Sequence, residues 1–326
     1  MARWPAVSIA LFLVFLLFGP LAGAALADEG APSDSPTLPG VIALSAANST
    51  TEPFTPSVTT DPLIPDPYFY SGGVRYSFLP DGGDCSSLLN CAVSSTPIQS
   101  AIDSAASGLT PDDGTIYVEG GMYAEDIVVN TLNNLTLKGS ANGNPSTLNG
   151  LVNVLNSSNI TLRDFIFGNV VRVSDSSYVT MQGTPTDDTI TVTLQGSVQN
   201  LSVDGGAGSD AVTLNMDASS ATVSVADSGA GSGDSLTVNA TNGNDQVRLT
   251  TGTVSINGDQ TINTSGIESQ TINTGAGDDT LTLAGTFGDV DVNGGAGTMT
   301  ISAESHVVAP GGQVSINSDG TLQVFS

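Results

Sequence analysis

The stretch Leu201-Ser-Val-Asp-Gly-Gly-Ala-Gly-Ser-Asp210-Ala-Val-Thr-Leu214 contains the pattern that decides the fold. Its two ends alternate apolar and polar residues, and its middle is rich in Gly and Asp. Alternation with a period of two places the apolar side chains of a strand on one face. Glycine supplies the backbone conformations that a tight corner needs. The stretch therefore predicts two short strands joined by a sharp turn.

The same pattern recurs along the chain at a nearly constant interval. One set of strands begins at Leu135, Ile160, Val179, Leu201 and Val223, so the intervals are 25, 19, 22 and 22 residues. A second set lies between them, at 151–154, 170–173, 190–194, 212–214 and 236–238. Less regular repetitions follow at 254–256, 281–283, 290–292, 299–301, 314–316 and 322–324.

Strands this short cannot bury a core in pairs, whereas stacked coils join their inward side chains into continuous apolar ladders. The repeat therefore predicts an all-β solenoid. A β-sandwich also has short strands at regular spacing and is the alternative. The persistent interval and the scarcity of aromatic residues after Met181 favour the solenoid.

The first 27 residues are predicted to be a secretory signal peptide. Arg3 precedes an apolar run at 7–18, and Ala25-Leu-Ala27 is a small-x-small site, which predicts cleavage after Ala27. An uncleaved anchor is the alternative, but the apolar run is shorter than the roughly 20 residues that a membrane span needs. The mature protein is therefore expected to be secreted or displayed on the cell surface.

Composition restricts the partners. The formal net charge is −26, with six Lys and Arg against 32 Asp and Glu. This balance excludes a nucleic-acid partner, which needs basic contacts to phosphate, and it permits cation binding. Charged residues are only 12% of the chain, which is too few for a disordered polyelectrolyte.

Three further segments follow the signal peptide. Residues 28–66 are rich in Pro, Ser and Thr without a period and are predicted to be a linker. Residues 67–114 are predicted to form an N-terminal cap region. In it, Thr96-Pro-Ile-Gln99 matches a capping box with Pro at the first helical position, which predicts a helix over 97–107. Residues 115–326 are predicted to be coils, with Gly/Asp-rich corners from about residue 183.

The two cysteines, Cys85 and Cys91, are expected to form a local disulfide in an oxidising compartment. A metal pair is the alternative. It lacks further ligands nearby, because the one histidine, His306, is distant in sequence.

Part of the chain is similar to a known group of proteins. The runs Ile98-Gln-Ser-Ala-Ile102, Gly114-Thr-Ile-Tyr-Val118-Glu-Gly-Gly-Met-Tyr123 and Leu135-Thr-Leu-Lys-Gly139 resemble the opening of pectate-lyase-like proteins. The resemblance covers about residues 96–182. It implies a right-handed parallel β-helix whose open end is covered by a short N-terminal helix. It implies little about activity, because this fold has many functions.

The C-terminal part resembles the Gly/Asp-rich nonapeptide repeats of secreted calcium-binding proteins. Residues 205–213 match the whole G-G-x-G-x-D-x-apolar-x pattern, and 274–282 miss only the first Gly. The resemblance implies calcium as a cofactor, because this ion prefers carboxylate and carbonyl oxygens. The candidate ligands are Asp188, Asp210, Asp234, Asp245, Asp278 and Asp279. The alternative is that the motif only forms a tight corner before each strand.

No residue set identifies a reaction, so neither catalytic nor organic-cofactor residues are predicted. The favoured function is a non-catalytic scaffold or adhesin-like module, with calcium and a polysaccharide or cell-surface component as partners. The sequence stops on a strand, Leu322-Gln-Val-Phe325-Ser326, so self-association through an uncapped C-terminal coil is also expected. The alternative is a polysaccharide lyase, or another enzyme acting on acidic glycans, that uses Lys138, Arg163 or Arg172.

Overall fold

The computed structural model describes residues 66–141, 143–229, 231, 233–286, 288–304, 314–318 and 320–325. The predicted signal peptide at 1–27 and the predicted linker up to residue 65 lie outside the described residues, as does His306. Asp66 is described, and its buried carboxylate accepts a hydrogen bond from Arg75 at 3.0 Å. None of the described helical residues forms a segment long and apolar enough to cross a membrane.

The described residues contain one helix, α1 (Pro97–Ala106), and 24 strands. The strands are β1 (Pro67–Ser71), β2 (Val74–Leu79), β3 (Cys91–Val93), β4 (Thr115–Val118), β5 (Gly121–Tyr123), β6 (Ile127–Asn130), β7 (Asn133–Lys138), β8 (Ser146–Leu148), β9 (Val152–Leu155), β10 (Ser158–Arg163), β11 (Phe165–Phe167), β12 (Val171–Gln182), β13 (Thr189–Asp204), β14 (Ala211–Ala226), β15 (Ser235–Asn239), β16 (Gln246–Thr250), β17 (Thr253–Ile256), β18 (Gln260–Ser265), β19 (Ser269–Gly275), β20 (Asp279–Ala284), β21 (Asp289–Gly294), β22 (Thr298–Ala303), β23 (Val314–Ser318) and β24 (Thr321–Phe325).

These strands form an all-β solenoid of about nine turns with parallel pairing between coils, which confirms the predicted fold class. A first ladder joins β4, β7, β10 and the C-terminal halves of β12, β13 and β14. A second ladder joins β6, β9, the N-terminal halves of β12, β13 and β14, and then β15, β19, β21 and β23. A third sheet contains β5, β8 and β11.

The predicted register is confirmed within the first ladder. Ile160 pairs with Leu135 on one side and with Val179 on the other, and Leu201 pairs with Val223. The strands are longer than the sequence predicted, because β12, β13 and β14 contain 12, 16 and 16 residues. In each of them, two predicted strands are joined through a bent corner. Asp175 supplies a left-handed backbone at one such corner, with φ 46.

The core lies inside the coils and follows the ladders. Val192, Leu214, Val238, Ile272 and Val292 are fully buried and occupy one register position in successive coils. Each of these side chains packs on its equivalents in the neighbouring coils, so the apolar surface that no single coil could bury is removed from water.

An antiparallel insertion interrupts the repeat. The sequence predicts 254–256 as one more coil strand, but β17 instead pairs antiparallel with both β16 and β18. The physical reason is a tight turn on each side, where Gly252 and Gly258 adopt positive φ values of 71 and 77. The insertion lengthens the interval between stacked coils to 34 residues at Asp234 and Glu268.

Helix α1 ends one residue before the predicted boundary, and its cap differs from the predicted capping box. The Thr96 side chain makes no capping hydrogen bond. Instead, the Glu125 carboxylate accepts the backbone N–H groups of Ile98 and Gln99, each at 2.9 Å. The Gln99 amide donates to the carbonyl of Val128 at 3.2 Å and accepts its N–H at 2.7 Å. The first coil therefore supplies the cap.

The predicted disulfide is present. Cys85 and Cys91 are bonded, with their Cα atoms 5.5 Å apart. The bond joins the start of β3 to the turn that precedes it.

An asparagine ladder runs along the outer face of the second ladder of strands. It consists of Asn215, Asn239, Asn273, Asn293 and Asn317. Each amide after that of Asn215 donates to the amide oxygen of the preceding asparagine, at 2.8, 2.6, 2.9 and 3.2 Å in chain order. The asparagine ladder therefore links five coils by side-chain hydrogen bonds, in addition to the backbone pairing of their strands.

Candidate metal site

Five of the six aspartates predicted as calcium ligands are buried at corners of the solenoid. Asp188, Asp210, Asp234, Asp245 and Asp279 are each at most 4% exposed. Asp279 is the first residue of its strand, and the other four immediately precede theirs. Asp278 is exposed, and its carboxylate accepts the Thr298 N–H at 3.0 Å.

The corner aspartates stack because the strand register places them in successive coils. The Asp188 N–H donates to Asp210 Oδ1 at 2.7 Å, and the Asp210 N–H donates to Asp234 Oδ1 at 2.8 Å. At a second corner, the Asp245 N–H donates to Asp279 Oδ1 at 3.0 Å. The Oδ1 atom of each accepting carboxylate is therefore the acceptor for a backbone N–H group of the preceding coil.

Threonine hydroxyls complete some of these carboxylates. Thr184 and Thr241 each donate to the Oδ2 atom of the aspartate four residues later, both at 2.9 Å. Thr274 donates to Asp279 Oδ2 at 2.6 Å. At these three corners the Oδ2 atom is satisfied within the protein.

Asp210 and Asp234 lack this hydroxyl. The position five residues earlier, which Thr274 occupies before Asp279, is Gly205 before Asp210 and Gly229 before Asp234. The Oδ2 atoms of both aspartates are buried and have no hydrogen-bond partner among the described residues. A buried carboxylate oxygen without a partner is costly, since it loses its water and gains nothing in exchange.

A third carboxylate lies beside these two. Asp227 begins the turn after β14 and is half-buried. One carboxylate oxygen from each of Asp210, Asp227 and Asp234 lies within 4.8 Å of one from each of the others. The sequence prediction missed Asp227 because it lies outside the Gly/Asp motif. An available signal was the turn Asp227-Ser-Gly-Ala-Gly-Ser-Gly-Asp234, which is Gly-rich and has an aspartate at each end.

The electrostatics of the cluster favour a bound cation. Burial raises the pKa of Asp210, and the neighbouring carboxylates of Asp188, Asp234 and Asp227 act in the same direction, whereas the hydrogen bond from the Asp188 N–H opposes them. A cation would offset both the burial and the repulsion. Because the donors are all oxygens, the cluster fits calcium, which takes six to eight oxygen ligands at about 2.3–2.6 Å. Two such ligands on opposite sides of one ion lie about 5 Å apart.

A separate groove lies at the start of the first ladder. It has a volume of about 460 Å³ and is lined by Tyr68, Tyr117, Glu119, Lys138 and Asp164, among others. The two tyrosine rings are stacked with their centroids 5.2 Å apart, and the Lys138 ammonium lies 5.9 Å from the Tyr117 ring.

The structure brings together two of the three basic residues considered for a lyase. Arg163 pairs in register with Lys138, so both lie near the groove. Arg172 lies on β12 in the second ladder, where it pairs with Asn153 and Thr193. The structure therefore places one of the three candidates on a different face.

The fold and the acidic corners together define a parallel β-solenoid with buried carboxylates at its turns. No protein-family description matches the chain, and neither a curated protein nor a solved structure matches it.

Proposed function

We propose that the protein is an exported or cell-surface β-helix that acts as a non-catalytic scaffold or adhesin-like module and is stabilised by calcium. The observation that carries this proposal is the pair of buried, unpartnered oxygens of Asp210 and Asp234 beside a third carboxylate. In the absence of a cation, this arrangement weakens the stacking of the coils that it joins.

Two properties of the chain support an extracytoplasmic location. The disulfide between Cys85 and Cys91 suits an oxidising compartment. Calcium is also a practical cofactor outside the cell, where modules bind it with Kd values of about 10⁻⁴–10⁻³ M. Surface biotinylation of intact cells tests the location, and labelling only after lysis would contradict it.

Calcium stabilisation is tested by thermal unfolding of residues 28–326 in EDTA and in increasing calcium. An ion that binds only the folded state at about 100 times its Kd adds about 2.7 kcal/mol, which raises Tm by roughly 5 °C in a chain of this size. Magnesium at the same concentrations is the control, because it demands a smaller, octahedral shell. A Tm that calcium does not change would contradict the calcium part of the proposal.

The scaffold role implies partners, which we propose to be a polysaccharide or another cell-surface component and a second copy of the chain. Sedimentation velocity over a range of protein concentrations tests self-association. A sedimentation coefficient that is independent of concentration and fits the monomer would contradict it.

A polysaccharide lyase or other enzyme acting on acidic glycans is the second candidate, and the groove at Tyr117 and Lys138 is the observation that favours it. An aromatic side chain and a cation in one groove suit an acidic sugar ring. Incubation with uronic-acid polymers, with detection of the unsaturated product by absorbance, tests this function. Activity that Lys138→Ala and Arg163→Ala abolish and Arg172→Ala retains would support it. No product from any uronic-acid polymer would remove it.

A further inference from the structure

We infer, on the basis that the chain binds calcium as proposed above, that Asp210, Asp227 and Asp234 form the site that holds the ion. Asp227, which belongs to no repeat motif, is a ligand in this site. The aspartates at the threonine-containing corners, Asp188, Asp245 and Asp279, have a structural role instead.

The first argument comes from the hydrogen bonds that each carboxylate already makes. Asp210 Oδ1 and Asp234 Oδ1 each accept one backbone N–H. Their Oδ2 atoms have no partner among the described residues, although the two side chains are 3% and 1% exposed. Native proteins rarely leave a buried carboxylate oxygen unsatisfied, so the two Oδ2 atoms are available to a ligand that carries positive charge.

The second argument is the position of Asp227. Among the described residues, it completes the one group of three acidic side chains whose oxygens converge within 4.8 Å. Its Oδ1 atom accepts a long hydrogen bond, 3.3 Å, from the Gly229 N–H. Since Asp227 and Asp234 lie at the two ends of one turn and Asp210 lies in the preceding coil, a shared ion would fasten the turn to that coil. Further oxygen ligands, such as water, would complete the shell.

The third argument is the contrast with the other corners. Wherever a threonine precedes the aspartate, its hydroxyl occupies Oδ2, as Thr241 does at Asp245 and Thr274 does at Asp279. Asp245 Oδ1 is also occupied, by the Asn257 amide at 2.7 Å. At the threonine-containing corners, a hydroxyl group therefore satisfies the aspartate Oδ2 atom. At Asp210 and Asp234, where glycine replaces the threonine, we infer that a cation does so. Asp188 keeps one unpartnered oxygen, Oδ1, but it belongs to no convergent group of three acidic side chains among the described residues.

The experiment is a calcium titration of residues 28–326 by isothermal calorimetry, repeated with terbium luminescence as an independent probe. The wild-type protein is expected to bind one ion at this site. Asp227→Asn is the test variant, because a half-buried residue on a turn can be changed without opening the core. We expect it to weaken binding about tenfold or more, since it removes one of three ligand charges.

Two control variants separate a ligand from a general loss of charge. Asp217→Asn removes an exposed charge from the middle of β14, and Asp278→Asn changes a motif aspartate whose carboxylate accepts the Thr298 N–H. Both are expected to bind calcium within about twofold of the wild type, because neither contacts the cluster. Circular dichroism of each calcium-free variant establishes that it is folded before titration.

The outcomes distinguish this inference from the function on which it rests. If Asp227→Asn binds calcium as the wild type does, the site lies elsewhere, and the inference is wrong while calcium stabilisation stands. If Asp278→Asn loses binding and Asp227→Asn does not, the ion lies at a threonine corner. If the wild type binds no calcium at about 10 mM, well above the range of extracellular modules, both proposals fall.

Discussion

The asparagine ladder makes a quantitative prediction about coupling between coils. Asn239 donates to Asn215 at 2.8 Å and accepts from Asn273 at 2.6 Å, so Asn239→Ala breaks two side-chain hydrogen bonds. Asn273→Ala also breaks two, and the bond between Asn239 and Asn273 is common to both variants. The double variant therefore loses three bonds, whereas the two single variants together lose four.

The expected magnitudes follow from the value of one bond. A half-buried amide hydrogen bond contributes about 0.5–1 kcal/mol, because its groups keep some contact with water. Each single variant should then lower the free energy of unfolding by about 1–2 kcal/mol, and the double variant by about 1.5–3 kcal/mol. The departure from additivity equals the shared bond, about 0.5–1 kcal/mol.

Equilibrium urea unfolding followed by circular dichroism measures these values. Circular dichroism is preferred over fluorescence because the one tryptophan, Trp4, lies in the predicted signal peptide. Asn215→Ala with Asn293→Ala is the matched control, since these residues share no bond and their effects should add. Additivity within about 0.3 kcal/mol for Asn239 and Asn273 would refute the view that the ladder couples neighbouring coils.

Three further predictions concern the cap, the buried acids and the core. Glu125→Ala removes the carboxylate that accepts two N–H groups of α1 and should lower the free energy of unfolding by about 1 kcal/mol in a urea titration, whereas Asp217→Ala should not change it. Burial raises the pKa values of Glu125 and Asp188 above their ordinary 4.5 and 3.8, so the folded form keeps protons that the unfolded form has released. The Tm in EDTA should therefore fall as pH rises from about 4 through the folded pKa values, and a rising Tm over that window would contradict this assignment. Leu214→Ala opens a cavity in the buried column and should cost about 2–5 kcal/mol, whereas Thr213→Ala on the outer face should stay within about 0.5 kcal/mol; equal effects in urea unfolding would show that the two faces are assigned wrongly.

The positions of most coil strands could be predicted because their signal is local. Each inward side chain is apolar and each outward one is polar. The alternation within a segment such as 201–203 therefore predicts which of its side chains face the core. The corners were also predictable, since asparagine and glycine tolerate left-handed backbone. Asn134, Asn159 and Asn200 do adopt φ values of 60, 54 and 56.

The antiparallel insertion could not be predicted from the same signal. Residues 254–256 alternate as any coil strand does, and the alternation is the same whichever direction the neighbouring strand runs. The direction depends on the turns at Gly252 and Gly258, and those glycines resemble the glycines of ordinary corners in sequence.

The proposed metal site could be predicted only in part, because it depends on contacts between coils. Asp210 and Asp234 were predicted from the Gly/Asp motif and its nearly regular spacing. Asp227 reaches them only through the stacking of one coil on the next, which no local motif contains. The function of Thr184, Thr241 and Thr274 was also hidden, since threonine is common throughout this chain and its hydroxyl matters only beside a buried carboxylate.

The Gln99 side chain has a consequence for how molecules of this protein meet. Its amide has the same donor and acceptor as a peptide group, and it occupies both hydrogen-bonding positions of Val128 on β6. Among the described strands, β6 is the first of the second ladder, so these positions would otherwise be open to a strand of another molecule. Gln99→Ala should therefore promote edge-to-edge association of this strand without removing a core side chain.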